Sequence, residues 1–199
     1  MRIVFCGTPH FAVPTFIHLL AQPDIDIAAV ITQPDRPRGR GQQISASPLK
    51  QAAIAANVPV HQPEKIRSPE AQDLLKQLAP DCIVIIAYGQ IIPARLLDIP
   101  KLGWINLHAS LLPKYRGAAP INWAIANGET QTGVTTMRID AGMDTGPILA
   151  QEPIPVLDGD NEETLHERIK VIERRLLVDV VAAIATRGVT WTGRKATLG

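Results

Sequence analysis

Asn106, His108 and Asp144 stand out for the chemistry that their residue types could perform. They lie in two polar, glycine-bearing stretches, residues 106–120 and 138–146. An amide can donate to a developing oxyanion, an imidazole can hold or move a proton, and a carboxylate can orient that imidazole. Such a set suits transfer of a small acyl group to an amine. Taken singly, each residue has a plainer reading. His108 could be a hydrogen-bonded structural residue. Asn106 could cap a turn, and Asp144 could be a turn residue between Gly142 and Gly146. The spacing of the first two argues for more. Residues two apart on a strand point to the same face, so Asn106 and His108 can enter one pocket. Spacing alone does not bring Asp144 there.

The elements that must position them follow from the pattern of apolar runs. Gly103 to Leu107 reads as the last buried strand of a parallel sheet, and ligand crevices lie beyond the C-terminal ends of such strands. Upstream, strands are expected at Arg2 to Cys6, Ile25 to Thr32 and Cys82 to Ala87. Helices are expected from Thr8-Pro9 to Leu20, from Ser47-Pro48 to Asn57 and from Pro69 to Leu78, the first two by an N-cap followed by a first-turn proline. Downstream come a short helix from Ala119 to Asn127 closed by Gly128 and strands at Gly133 to Ile139 and Pro147 to Val156. A long helix, capped by Asp160 or Asn161, runs from Glu162 to Thr186, with Leu165, Ile169, Ile172, Leu176 and Val180 on one face. Alternation of strands and helices predicts an α/β, doubly wound, mostly parallel sheet.

With 199 residues, 46% of them hydrophobic, the chain can fill the core of one ordinary domain. A net charge of +1 leaves any nucleic-acid contact to a local patch. No apolar run approaches the ~18 residues that span a bilayer, and Met1 leads straight into a strand without a secretory pattern. Cys6 and Cys82 are expected as buried free thiols in a reducing cytosol. The five histidines show no Cys/His ligand spacing, so no catalytic metal is expected. The first strand-to-helix turn has Gly7 alone where a dinucleotide fingerprint needs three glycines, which argues against nicotinamide cofactors.

Five segments carry a family resemblance: Cys6-Gly-Thr-Pro-His-Phe-Ala12, Thr32-Gln-Pro-Asp-Arg-Pro-Arg-Gly-Arg-Gly41, Ala87-Tyr-Gly-Gln-Ile-Ile-Pro93, the stretch from Asn106 to Pro120, and Gly133 to Gly146. In this order they resemble the catalytic domain of the methionyl-tRNA formyltransferase family, over most of residues 1 to about 155. The Asn-x-His and Ser-Leu-Leu-Pro signals are shared by all 10-formyltetrahydrofolate-dependent formyltransferases. The arginine loop is more specific to the tRNA enzymes.

The resemblance implies a Rossmann-like formyltransferase fold, a cytoplasmic monomer and a 10-formyltetrahydrofolate donor. The implied acceptor is the α-amine of methionyl initiator tRNA. It makes Asn106, His108 and Asp144 catalytic, the first two on the oxyanion and Asp144 orienting His108 and favouring its protonated form. Folate contacts would come from Tyr88, Gly89, Gln90 and Ile91, from Ser110, Leu111, Leu112 and Pro113, and from Asp140 and Gly142. Arg36, Arg38 and Arg40 would meet the tRNA acceptor end, where glycines permit close approach and arginine pairs well with phosphate.

Two departures accompany the resemblance. Residues 1–186 correspond to the catalytic domain and 187–199 to a tail or truncated linker, without the family's C-terminal β-barrel. Lys170 to Arg175 also lacks the small pair usual in the family's last helix. Two other readings stay open. One is the glycinamide ribonucleotide formyltransferase, a single domain with the same Asn/His/Asp set. The other is a catalytically weak folate-binding domain.

Overall fold

The computed structural model describes residues 1–38, 43–193 and 195–199, with the side chains of 37, 38, 43 and 44 also outside the description. The chain divides into two compact units, Met1–Trp104 and Ile105–Gly199.

The first unit is built on a parallel sheet. Strands β1 (Arg2–Gly7), β2 (Asp26–Ile31), β5 (Val60–His61) and β6 (Cys82–Ile86) all pair in parallel, in the order β6-β1-β2-β5. Ile3, Val4, Phe5 and Cys6 are wholly buried, as are Ile83 and Val84, which is why these runs are continuously apolar. Helix α1 (Ala12–Leu20) packs Phe16 edge-on against Phe5, with ring centroids 5.7 Å apart. Helices α2 (Pro48–Ala55) and α3 (Pro69–Leu78) begin as the sequence predicts. Ser47 and Ser68 accept from the third amide of the helix, and a proline follows each cap. A short α4 (Ala94–Leu97) offers the Leu96 carbonyl to the Trp104 indole at 2.8 Å.

Two expectations for this unit need correction, and two short elements come in addition. Helix α1 starts at Ala12, not at Thr8-Pro9: the Thr8 hydroxyl donates to the Tyr88 carbonyl at 3.2 Å, and the oxygen that a cap needs as acceptor takes the Gln33 amide at 3.5 Å instead of a helix amide. The arginine-bearing segment read as a loop contains an antiparallel pair, β3 (Arg36–Arg38) with β4 (Gln43–Ser45). The strand β5 and the helix α4 were not foreseen, being too short to carry a period.

In the second unit most strand pairings are antiparallel. Strand β7 (Trp104–His108) pairs antiparallel with β8 (Gln131–Arg138), and β8 with β9 (Ile148–Pro155). Helix α5 (Pro120–Ala126) follows the first loop. Helix α6 (Glu162–Arg187) opens with a capping box between Asn161 and Thr164. Leu165 and Ile169 join Ile121, Val134 and Ile154 in a buried cluster, with Ile172 and Leu176 against it, so the predicted helix face is the packed one. The last residues are not a tail: β10 (Val189–Thr192) and β11 (Lys195–Leu198) form a hairpin, and β11 joins β9 in parallel. Alternating half-buried and exposed residues in both strands give it a sheet face that the lack of helical periodicity concealed. The fold is thus α/β with a mixed, mostly parallel sheet, parallel throughout the first unit and antiparallel at most pairings of the second. No described helix is long and apolar enough to cross a membrane.

Candidate active site

Asn106 and His108 emerge from β7 on one face, opposite Met137 and Thr135 of β8. His108 is 8% exposed. Its Nε2 donates to the Tyr115 carbonyl at 2.7 Å, and its Nδ1 faces Asp144 Oδ2 at 3.5 Å. The structure therefore supplies what spacing could not, bringing Asp144 to the histidine. The Gly117 amide holds the same Asp144 oxygen at 2.7 Å, and the Arg116 side chain donates to the Asp144 carbonyl at 3.1 Å. Among the described residues nothing hydrogen-bonds the half-buried Asn106 amide or the second Asp144 oxygen. Both ring nitrogens of His108 face protein partners, while one amide and one carboxylate oxygen stay open.

Backbone strain accompanies this arrangement. Tyr115, Ala119 and Asp144 all adopt left-handed φ, between 51° and 55°, a conformation that costs a non-glycine residue energy and persists where the surroundings impose it. Glycine is required beside them. Gly117 has φ +82° and would bring a Cβ to 2.8 Å from Met143 Sδ. A Cβ at Gly146 would collide with the Arg138 carbonyl. The Asp140 carboxylate accepts from the Gly142 amide at 3.0 Å and the Thr145 hydroxyl at 2.7 Å, which closes the 140–145 turn on itself.

Ser110, Leu111, Leu112 and Pro113 form a turn clamped onto β8 and β9. Thr135 Oγ1 donates to the Ser110 carbonyl and accepts from the Leu112 amide, and Gln151 donates to both Thr135 Oγ1 and the Leu112 carbonyl. Ser110 is wholly buried with its hydroxyl on the Lys114 carbonyl, and Leu112 is 5% exposed. Leu111 lies over Gly133, where a Cβ would displace it. These side chains set the shape of the turn that carries Tyr115. Further along, the Tyr115 hydroxyl and Lys114 both bond Glu129. Those two bonds hold the Glu129 carboxyl below its usual range, and the same carboxylate raises Lys114.

The first unit carries its own candidate surface, a cleft of about 1060 Å³. Thr8, Gln33, Arg36, the segment from Glu64 to Arg67 and the loop from Tyr88 to Ile91 line it. The wall is held by amide side chains. Gln33 donates to the Tyr88 carbonyl at 3.0 Å. Gln90 accepts from the Ile66 amide at 2.7 Å and donates to the Glu64 carbonyl at 3.2 Å. Tyr88 itself points inward and is 1% exposed, its hydroxyl without a partner among the described residues; burial above all, and then Cys6, pushes its pKa up. Gly89 is exposed with φ +87°, and Ile91 is 92% exposed, an apolar group left on an open cleft. Of the three predicted arginines, Arg36 is on the cleft. Arg38 is described only as a backbone position of β3, and Arg40 lies outside the described residues.

Sequence reasoning missed Tyr115, Gly117, Thr135 and Gln151, and in the first unit Gln33 and the Glu64 to Arg67 segment. Tyr115 and Gly117 act through backbone atoms, which residue type does not announce. The one usable signal was glycine at 117 inside a polar stretch.

The formyl transferase family matches residues 1–181. The methionyl-tRNA formyltransferase of Trichlorobacter lovleyi is 50% identical over 185 residues, 93% of this chain and 58% of that protein. That of Acidobacterium capsulatum is 52% identical over 191 residues, 96% of this chain and 61% of that protein. The chain thus spans about three fifths of the length of these relatives. In fold it superposes on glycinamide ribonucleotide transformylase 1 from Symbiobacterium toebii with a TM-score of 0.84 at 22% identity, covering 100% of this chain and 93% of that one. A match over more than nine tenths of the residues, running through both loops of the Asn-His-Asp cluster, places the assignment beyond fold alone: the chain belongs to the formyl transferase family.

Proposed function

We propose that this chain transfers the formyl group of 10-formyltetrahydrofolate to the α-amine of methionyl initiator tRNA. The observation that carries the reading is the Asn106–His108–Asp144 cluster, held by the Tyr115 carbonyl and the Gly117 amide. An identity of 50% over 185 residues to a methionyl-tRNA formyltransferase supports the choice of acceptor.

The neutral amine attacks the formyl carbon and forms a tetrahedral oxyanion. Asn106 donates to it first, since its amide has no partner to release among the described residues. One such preorganised donor is commonly worth ~3–4 kcal/mol of barrier. His108 joins by exchanging the Tyr115 carbonyl for the oxyanion, while Asp144 fixes the ring. The C–N10 bond then breaks, the new amide C–N bond remains, and the proton lost by the amine passes to N10. The open oxygen of Asp144 relays that proton through water. In the first unit, the exposed backbone of Gly89 and the apolar Ile91 offer a donor–acceptor edge and a flat contact suited to a fused ring. Arg36, Arg38 and Arg40 serve acceptor phosphates.

A formyl-transfer assay with 10-formyltetrahydrofolate tests the reading, comparing charged initiator tRNA with glycinamide ribonucleotide. Transfer to the tRNA is expected. Transfer to glycinamide ribonucleotide alone would move the chain to the purine reaction, and transfer to neither would leave a folate-binding domain.

A further inference from the structure

The Asp140–Gly146 loop, which delivers Asp144, hangs from a narrow neck. Its two arms are the end of β8 at Arg138 and the start of β9 at Ile148. The Arg138 amide donates to the Pro147 carbonyl at 2.9 Å, and the Arg138 carbonyl lies against Gly146. Both arms are also held from outside, by the C-terminal hairpin. On the β9 arm, Lys195 of β11 pairs with Ile148, two residues beyond Gly146. On the β8 arm, the Arg138 guanidinium sits 5.1 Å from the centroid of the Trp191 ring in β10, within cation–π range. The hairpin is itself closed by four cross-strand pairs, from Val189–Leu198 to Thr192–Lys195, and by the Gly199 amide on the Gly188 carbonyl at 3.2 Å. It lies beyond the residues matched to the family, which end at 181.

We infer that the β10–β11 hairpin is a positioning element for the reacting cluster, with Trp191 and Arg138 as positioning residues that hold the neck of the Asp144 loop. The inference rests on the reading of Asp144 as part of that cluster. The physical case is leverage. The Asp144 carboxylate faces His108 at 3.5 Å and, among the described residues, accepts from one backbone amide, that of Gly117, while Arg116 holds the Asp144 carbonyl. A neck free to open by a fraction of an ångström would lengthen both contacts, and misplacement on that scale is costly in turnover. A ring over the guanidinium restrains the β8 arm without occupying the site.

The test uses the full chain carrying Trp191→Leu, Trp191→Phe, Arg138→Leu or Asp144→Asn. Turnover with 10-formyltetrahydrofolate and charged initiator tRNA is measured beside hydrogen exchange of the Gly117 amide. Trp191→Leu is expected to lower kcat about tenfold with KM for the formyl donor within about twofold. Gly117 exchange should rise by a similar factor. Trp191→Phe keeps a ring for the cation and should restore both. Arg138→Leu should match Trp191→Leu, and the double variant should lose little more, because both changes cut one contact. Unchanged kcat and unchanged Gly117 exchange in Trp191→Leu would overturn the inference. So would a tenfold loss that Trp191→Phe does not relieve, since that is general damage to folding. Near-full turnover in Asp144→Asn would sink the reading of the cluster instead, and Gly117 exchange would still decide whether the hairpin holds the loop.

Discussion

The cleft of the first unit and the cluster of the second solve different problems by opposite means. In the cleft, side-chain amides hold the backbone: Gln33 grips the Tyr88 carbonyl, and Gln90 grips Ile66 and Glu64. In the cluster, the backbone holds side chains: the Tyr115 carbonyl fixes His108 and the Gly117 amide fixes Asp144. A binding wall needs many modest contacts and tolerates the loss of one. A reacting set needs a few groups in one geometry, and strained backbone at residues 115, 119 and 144 is where that geometry is stored. Damage to the second unit should therefore appear as lost turnover, and damage to the first as a graded loss of affinity.

The largest effect should come from the cluster. His108→Ala and Asp144→Ala should each cut kcat at least about a hundredfold, and Asn106→Ala by about 10²–10³, with folate binding largely kept. Steady-state kinetics beside equilibrium folate titration checks this. If any of the three retained near-full kcat, the division between the units would fail at its stronger half.

The two units should also part company with pH. In the first, Asp35 is held below its usual value by Lys50 at 2.5 Å and by Gln62. A lowered carboxyl favours the folded state above its unfolded pKa, and that contribution vanishes as pH falls through the lower folded value. This unit should therefore loosen only in acid below the ordinary aspartate range. In the second, burial pushes Glu173 on α6 up to about 7, against the pull of Lys170 and Arg174. A raised carboxyl has the reverse sign. The contribution is full below the unfolded value near 4.5 and is lost as pH rises through 7. Glu173→Gln should then stabilise the chain at pH 8 by about 2–3 kcal/mol, and by little at pH 4. Urea titration at both values measures it. A variant no more stable at pH 8 than the parent would show that Glu173 is solvated there.

A smaller effect is expected in the cleft. Gln90→Ala removes the acceptor of the buried Ile66 amide, worth about 1–2 kcal/mol of stability. KM for the formyl donor should rise several-fold while kcat stays within about twofold. A loss of kcat equal to that of His108→Ala would erase the distinction between wall and cluster.

Much of this was legible in the sequence, for reasons that differ by residue. The apolar run from Cys82 to Ala87, of strand length, read as a central strand, and β6 occupies Cys82–Ile86 of it. The cap Ser47 before Pro48 placed one helix start correctly, and the third helix runs over Pro69–Leu78 as read. Asn106 and His108 were paired by the two-residue period of a strand. Thr8 misled because its hydroxyl oxygen accepts from the Gln33 amide, 25 residues away, and no local rule sees that partner. The hairpin after Gly188 was missed because four-residue strands carry too little pattern to outweigh a turn-rich composition. Tyr115 and Gly117 were invisible for a deeper reason, since every residue type carries the carbonyl or amide they contribute.

The smallest effect belongs to the arginine-bearing segment, and it tests whether the first unit binds nucleic acid at all. Its root is tied down: Asp35 accepts from Lys50 and Gln62, and Gln62 also donates to the Gln33 carbonyl at 2.9 Å. Arg36 follows directly, on the cleft. If Arg36, Arg38 and Arg40 neutralise three phosphates, log K for tRNA should fall against log salt with a slope of roughly −2 to −3. Replacing all three with alanine should flatten that slope and raise KM for charged tRNA, with turnover on a small amine acceptor barely changed. Lys50→Met should give a weaker version of the same result, because it frees the root but leaves the charges. Affinity measured from low to high salt separates the outcomes. An unchanged slope in the triple variant would show that these arginines do not hold tRNA. Equal losses on tRNA and on the small amine would assign them to folding or to the folate wall, and the graded side of the comparison would then rest on the cleft amides alone.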